Sequence, residues 1–348
     1  MQTISALAFK LAERGYLPDK VVRLGIRQLL KERLISIDCT DCESVMSDQQ
    51  HFIEMMNSSE IAPVPHLANE QHYEMPAEFF KLILGSHLKY SCGYWPKSTM
   101  NLEESELAAL EVTGERAQLK NGQTILDLGC GWGSFSLWAA ENFPDSLITA
   151  VSNSNVQRAV IESEIKQRNL TNVTVLTRDM NEFNPFSKFD RIISIEMFEH
   201  MRNYRLFFSR ISDWLNTDGR FFMHIFCHRS SAYEFIDHGP TDWMTRHFFS
   251  GGIMPSDDLP LRFQEDLILC GKWRWAGTHY EKTSNAWLHN MDLKKNKIMK
   301  IMYAVYGQDK AKIWWARWRI FFMACAELFG FEKGQQWWVS HYLYRHAE

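Results

Sequence analysis

The sequence predicts an α/β fold: a doubly wound, largely parallel sheet with helices on both faces, an N-terminal helical extension and a helical, aromatic-rich cap. Three observations predict it. Short apolar runs alternate with helix-length stretches between residues 121 and 226, the rhythm of strand–helix–strand units in a parallel sheet. A glycine-rich turn, Asp127-Leu128-Gly129-Cys130-Gly131-Trp132-Gly133, joins the first run to the helix after it. Beyond residue 230 the alternation gives way to Gly251-Gly252, Pro255, Pro260 and closely spaced aromatic residues.

Taken in order, residues 1–35 read as helical. Gly15 and Pro18 divide an apolar set of Leu7, Phe9 and Leu11 from a second set running from Val21 to Leu30. A polar passage follows over 38–60, then Pro63 and Pro65. Residues 1–68 are therefore assigned to an extension, and 69–348 to the main domain, with a cap insertion around 230–330. Strands are predicted at 124–128, 147–151, 173–176, 191–195 and 220–226. Helices are predicted at 135–142, 155–168 and 204–215, the last stopped by Gly219. Residues 309–329 read as a closing helix with Trp314, Trp315, Trp318, Phe321, Phe322, Cys325 and Phe329 on one stripe, a pattern that serves either helix core or the wall of a ligand pocket.

With 348 residues, 45% hydrophobic and 23% charged, the chain can bury a sizeable core as a globular protein. A net charge of −4 supplies no field to attract nucleic acid. The seven scattered cysteines form no secreted framework. Cys39 and Cys42 make a C-x-x-C without the second pair a zinc site needs, so no metal is expected. Lys10, Arg14, Lys20 and Arg23 interrupt the N-terminal apolar runs, which argues against a signal peptide, and no run is long enough to span a membrane. The expectation is a cytoplasmic protein without stable membrane insertion; a homodimer is left open.

The glycines after Asp127 let the backbone turn sharply and approach a ligand closely. A phosphate-binding loop avoids a carboxylate at the strand end, whereas a cationic amino-acid group favours one. The spacing is not the dinucleotide fingerprint, because Ser134 stands where its third glycine falls, and there is no P-loop lysine. Here the chain resembles the class I S-adenosylmethionine-dependent methyltransferases, within them the branch of cyclopropane fatty acid synthases and coclaurine-type N-methyltransferases. The resemblance runs from Gln71-His72-Tyr73 through Tyr90-Ser91-Cys92-Gly93-Tyr94-Trp95, Asp127 to Gly133, Met197 to His200, and His279-Tyr280 with Trp287, to Tyr344. It implies a Rossmann-like methyltransferase sheet and S-adenosyl-L-methionine as cofactor, leaving as S-adenosylhomocysteine. Carried over by position, Asp127, Gly129 and Gly131 hold its methionine end, with Tyr90 and Ser91 near its carboxylate. No acid follows the second strand, so Ser152, Asn153 and Gln157 are the ribose candidates, although small polar residues there could equally cap a helix. Asp179 and Met180 take the adenine position.

The reaction residues are read at Glu196, Glu199 and His200. Glu196 ends the fourth predicted strand, where a doubly wound sheet places its ligands. Glu199 and His200 follow at i+3 and i+4, so in a helical turn all three share a face. An alkyl amine is protonated at neutral pH, and a pocket that binds it and removes a proton needs carboxylates and a base together. Two nearby carboxylates are expected to raise the imidazole's proton affinity.

By the same resemblance the synthases carry glycine where Glu196 stands, so Glu196 points to the N-methyltransferase side. Positions that hold bicarbonate in the synthases nevertheless persist as Cys92, Glu199, His224 and Tyr280, with Phe226 departing from the pattern. His224, Phe226 and Tyr280 are accordingly the substrate-binding candidates. The leading expectation is an N-methyltransferase acting on a small, aromatic or apolar amine. The rivals are a cyclopropane synthase acting on unsaturated phospholipid chains and a non-catalytic module that only binds the cofactor.

Overall fold

The computed structural model describes residues 2–37, 41–64, 75–96, 101–239 and 241–347. Cys39 and the Gln71-His72-Tyr73 motif lie outside the described residues. The strands are β1 (Thr124–Leu128), β2 (Leu147–Ser152), β3 (Val173–Thr177), β4 (Phe189–Ile195), β5 (Leu215–His228), β6 (Tyr233–Glu234), β7 (Ile253–Met254), β8 (Leu267–Trp275) and β9 (Trp337–His346). The helices are α1 (Gln2–Glu13), α2 (Asp19–Ile37), α3 (Cys42–Asn57), α4 (Ala77–Ile83), α5 (Leu102–Arg116), α6 (Ser134–Asn142), α7 (Asn155–Gln167), α8 (Tyr204–Trp214), α9 (Trp243–Phe248), α10 (Thr278–Leu293) and α11 (Lys295–Gly330).

Seven strands form one sheet in the order β3-β2-β1-β4-β5-β9-β8. The first five in that order pair in parallel, β9 pairs antiparallel with β5, and β8 antiparallel with β9. The strand order reverses between β1 and β4, so a crevice opens beyond their C-terminal ends, where Asp127 and Glu196 stand. The expected α/β architecture is the one observed.

Local chemistry explains the elements around that crevice. Tyr204, Phe207, Phe208, Ile211 and Trp214 are the buried positions of α8, an i, i+3, i+4, i+7 stripe that lays the helix on the sheet. Each such buried side chain contributes about 1.5–3 kcal/mol. Asn203 caps α8 by accepting from Leu206 N–H at 2.9 Å. Asn101 and Glu104 form a reciprocal capping box on α5.

Four differences from the sequence reading have physical causes. The polar passage over 38–60 contains α3, started by Asp41 accepting from Ser44 N–H; its apolar contacts, through Phe52, Ile53 and Met56, lie near its end. Gly219 does not stop α8, which ends at Trp214. Instead Gly219 lies within β5, where the pairing with β4 slips between Phe189 and Arg191. The predicted closing helix is the second half of α11, which starts at Lys295 and breaks at Gly307, with φ 73°. It closes nothing, because β9 follows it into the middle of the sheet. The stretch read as cap is therefore not all cap: it includes β8.

The extension docks on α11 through ion pairs. Arg23 and Arg27 both reach Glu327, and Arg319 reaches Asp19 at 2.7 Å. Among the described residues no helix is long and apolar enough to cross a membrane.

Asp257 ties the segment after β7 to the antiparallel edge. It accepts from Lys272 Nζ at 2.8 Å, Ser340 Oγ at 2.5 Å, Trp338 Nε1 at 3.2 Å, and the Arg274 guanidinium. Burial pushes its carboxyl up, but the Arg274, Lys272 and Ser340 hydrogen bonds outweigh that and hold it at about 2. A depressed carboxyl stabilises above its unfolded value of about 3.9 and loses that contribution as pH falls through the folded value. Asp257→Asn is expected to cost about 2 kcal/mol in urea unfolding at neutral pH. The gap to wild type should be full above about pH 4 and close toward pH 2.

Candidate active site

The turn after β1 is built for close approach. Gly129, Gly131 and Gly133 have φ of 75°, 54° and 84°, the left-handed region that side chains resist. A Cβ at Gly129 would stand 2.8 Å from Met197 Sδ, whereas one at Gly131 would meet nothing within 4 Å. Gly131 thus presents bare backbone to open space. Asp127 is buried and accepts from Ser136 Oγ at 2.6 Å. Burial pushes its carboxyl up to about 7, so a cation beside it would favour the charged form.

Two clefts meet over this turn. One is lined by Tyr90, Ser91, Asp127, Ser134 and Lys89. The other is lined by Ser152, Asn153, Gln157, Asp179, Met180 and His200. Gly129, Gly131 and Glu196 line both. Every residue proposed for the cofactor from the sequence therefore lies along one trough. The start of α7 uses these residues locally as well. Ser154 caps α7, accepting from Gln157 N–H, while Ser152 Oγ donates to Gln157 Oε1 at 2.6 Å and accepts from Ser154 N–H at 3.0 Å. Gln157 Nε2 and Ser134 Oγ are buried without a partner. A ribose and an amino-acid group bring hydroxyl and carboxylate oxygens that suit such donors, so the residues fit S-adenosylmethionine.

Glu196 follows β4 with φ 51°, a strained conformation for a residue with a Cβ. Its carboxylate accepts from Cys92 N–H at 2.8 Å and from the Tyr280 hydroxyl at 2.7 Å, and His224 Nε2 stands 3.2 Å from Oε1. Burial pushes the Glu196 carboxyl up, opposed by the Lys89 charge and by the Cys92 and Tyr280 hydrogen bonds.

The expected shared face of Glu196, Glu199 and His200 is not formed. Phe198–His200 is a single 3-10 turn and Glu196 precedes it. His200 lines the second cleft with Glu196, its ring stacked on Phe249 at 4.9 Å. Glu199 stands behind them, fully buried, with Oε1 accepting from Phe226 N–H at 2.7 Å and Oε2 without a partner. Burial, then the charge of Glu196, pushes the Glu199 carboxyl well up, toward the neutral acid.

Nor is the imidazole's proton affinity raised. Burial first, then the Arg202 charge, lowers His200 to about 4, and Glu196 offsets only part of this. Desolvation outweighs the neighbouring carboxylate, a term that depends on tertiary burial.

A larger apolar cavity of about 360 Å³ adjoins these groups. Phe226 and Tyr280 line it with Tyr233, Trp243, Phe249, Phe321, Cys325 and Phe329. His224 does not; it lies behind Glu196. The stripe on α11 thus does both jobs, since Trp318 and Phe322 are packed core while Phe321, Cys325 and Phe329 face the cavity. Tyr280 and Phe249 join the cavity to Glu196 and His200 respectively.

The sequence reading passed over two contributors. Phe9, Ile26, Leu29 and Leu30 bring α1 and α2 into the cavity wall, which helical periodicity alone does not reveal. Lys89 is buried, donating to Ser91 Oγ at 2.5 Å and to Cys92 O at 2.8 Å. Its only sequence signal is its place before Tyr90-Ser91-Cys92.

A doubly wound sheet with an acidic strand end, a glycine turn and this polar trough at its switch point defines an S-adenosylmethionine-dependent methyltransferase. The mycolic acid cyclopropane synthetase family model matches residues 65–337, and the chain belongs to that family. It is 35% identical to (S)-coclaurine N-methyltransferase of Thalictrum flavum subsp. glaucum over 340 residues, 97% of this chain and 94% of the relative. The (S)-coclaurine N-methyltransferase of Papaver somniferum is 35% identical over 336 residues, 96% of each chain. A crystal structure of coclaurine N-methyltransferase bound to N-methylheliamine and S-adenosylhomocysteine superposes with a TM-score of 0.94 at 34% identity. It covers 97% of this chain and 98% of that one.

Histidine NMR checks the electrostatics of the site directly. The His200 resonance should titrate near pH 4; titration at or above an ordinary value of about 6.5 would mean that burial does not control this imidazole.

Proposed function

We propose that this protein transfers a methyl group from S-adenosylmethionine to the nitrogen of a small amine carrying an aromatic or apolar body. The observation that carries this is the Glu196 carboxylate. By resemblance to the synthases, the groups around it belong to a bicarbonate cradle. Here Cys92 N–H, the Tyr280 hydroxyl and His224 face a side-chain carboxylate fixed to the chain. The donors are engaged, and the carboxylate stands where the trough meets the apolar cavity through Tyr280. The similar enzyme's bound N-methylheliamine supports the same class of acceptor.

S-adenosylmethionine, when bound, supplies an electrophilic methyl on a sulfonium. Gly129 and Gly131 admit it closely, Asp127, Tyr90 and Ser91 hold its amino-acid end, Ser152, Asn153 and Gln157 its ribose, and Asp179 and Met180 its adenine. Phe226, Phe321, Phe329 and the ring of Tyr280 enclose the amine's apolar body, and ring faces attract its cation. Glu196 draws in the ammonium. Burial lowers the proton affinity of the ammonium together with that of His200, and the neutral His200, which lines the same cleft as Glu196, receives the proton that leaves the nitrogen lone pair free. The N–C bond then forms as C–S breaks, the electron pair staying with sulfur. Glu199, whose carboxyl burial and the Glu196 charge push up, acts through Phe226, whose N–H it holds.

Under this proposal residues 1–68 are an extension whose first two helices wall the acceptor cavity. The cysteine usage supports a reducing, cytoplasmic setting, and a homodimer is an expectation for sedimentation to check.

Release of S-adenosylhomocysteine should follow aryl-alkyl amines, with bicarbonate making no difference. His200→Ala should lower kcat on the order of 100-fold without matching loss of cofactor affinity. Turnover only with unsaturated phospholipid vesicles, or only with bicarbonate, would move the protein to the lipid branch.

A further inference from the structure

Behind Glu196 lies a buried row of polar side chains that the proposed reaction does not use. His224 on β5 and His341 on β9 are directly paired across the two strands. Both are buried, and their ring centroids stand 4.6 Å apart. His224 Nε2 lies 3.2 Å from Glu196 Oε1. At the other end, Arg116 Nη1 lies 2.8 Å from His341 Nδ1. Arg116, at the last turn of α5, is half-buried with its guanidinium over the rings of Trp273 and Trp275, 5.2 and 5.6 Å from their centroids.

The hydrogen-bonding rules of these groups fix every proton in the row. A guanidinium only donates, so His341 Nδ1 must present a lone pair and the neutral ring carries its proton on Nε2. A carboxylate only accepts, so His224 donates from Nε2 to Glu196 and keeps a lone pair on Nδ1. The two remaining atoms, His341 Nε2 and His224 Nδ1, are buried without partners. They are one donor and one acceptor, on residues directly opposed in the sheet with their rings 4.6 Å apart, so the N–H dipole of one ring lies beside the lone pair of the other. The other His224 tautomer would turn a lone pair toward the Glu196 carboxylate and an N–H toward the N–H of His341, two repulsive contacts. Burial, together with the charges of Lys89 and Arg116, disfavours protonation of either ring. The row is therefore a set of oriented neutral dipoles running from Arg116 to Glu196.

We propose that Arg116 and His341 are positioning residues for the reaction at Glu196: together they lock His224 in the tautomer that donates to the carboxylate, keeping Glu196 ionised and aimed at the acceptor nitrogen. This rests on the proposed role of Glu196 in binding the ammonium. Neither residue touches cofactor or acceptor. Their effect passes through one ring and then another, as outer hydrogen-bond partners orient a working imidazole elsewhere.

The test pairs a tautomer readout with kinetics on the full chain labelled with ¹⁵N-histidine. Two-bond ¹H–¹⁵N correlations should show His224 protonated at Nε2 in the wild type. His341→Leu and Arg116→Met, the latter keeping its stem over the tryptophans, should shift His224 toward the other tautomer. Both should lower kcat roughly tenfold, the scale of such outer partners, with KM for S-adenosylmethionine unchanged. His341→Gln, whose amide offers an N–H and a carbonyl, should retain the tautomer and most of kcat. An unmoved His224 tautomer in both variants would overturn the proposal, as would a loss in His341→Gln equal to that in His341→Leu. A wild type that methylates no amine would instead defeat the amine assignment, because the tautomer readout needs no turnover.

Discussion

The site depends on one interaction: a carboxylate, Glu196, held inside the protein by donors from three separate parts of the chain. Cys92 N–H comes from the loop before α5, His224 from β5 and the Tyr280 hydroxyl from α10. An ionised carboxylate without such partners costs far more to bury than it returns. The carboxylate exists in this place only if the sheet, the N-terminal loop and the cap fold together. Its left-handed backbone, with φ 51°, is a local strain that the surrounding contacts must sustain.

Desolvation sets the character of the whole region. It raises Asp127 to about 7 at one end of the trough, raises Glu199 toward the neutral acid, and lowers His200 to about 4. The region thus holds more proton-binding capacity than charge. Two cationic guests, a sulfonium with its amino-acid group and an ammonium, suit it better than one. Under the proposed function Asp127 serves the first and Glu196 the second, and the His200 ring stacks on Phe249. Asp257 shows the opposite regime at the antiparallel edge, where basic partners outweigh burial and the group serves stability.

What was legible in the sequence was local. The apolar runs of β1 to β4 and the turn from Asp127 to Gly133 announce themselves because strand, turn and helix periodicities switch within a few residues. The cofactor candidates from Tyr90 to Met180 were found by motif position, and the structure draws them along one trough. What was hidden was tertiary. β8 and β9 pair only with distant segments, and Trp337–His346 carries no clean alternation. α3 packs through its C-terminal half, with Phe52, Ile53 and Met56, while Val45 and Met46 stay exposed, so its apolar stripe is short. The depressed pKa of His200 follows from burial and Arg202, neither visible in the spacing of Glu196, Glu199 and His200. His341 could not be connected to His224 until β9 was known to lie beside β5.

The central claim is that Glu196 binds the acceptor's ammonium rather than the cofactor. Calorimetry on wild type and Glu196→Gln tests it most directly, titrating S-adenosylhomocysteine first and then an aryl-alkyl amine into the binary complex. The account predicts that amine affinity falls by at least about tenfold, as removal of one charge from a buried pair does, while cofactor affinity is unchanged. Equal amine affinity in the two proteins, or parallel loss of amine and cofactor binding, would contradict it.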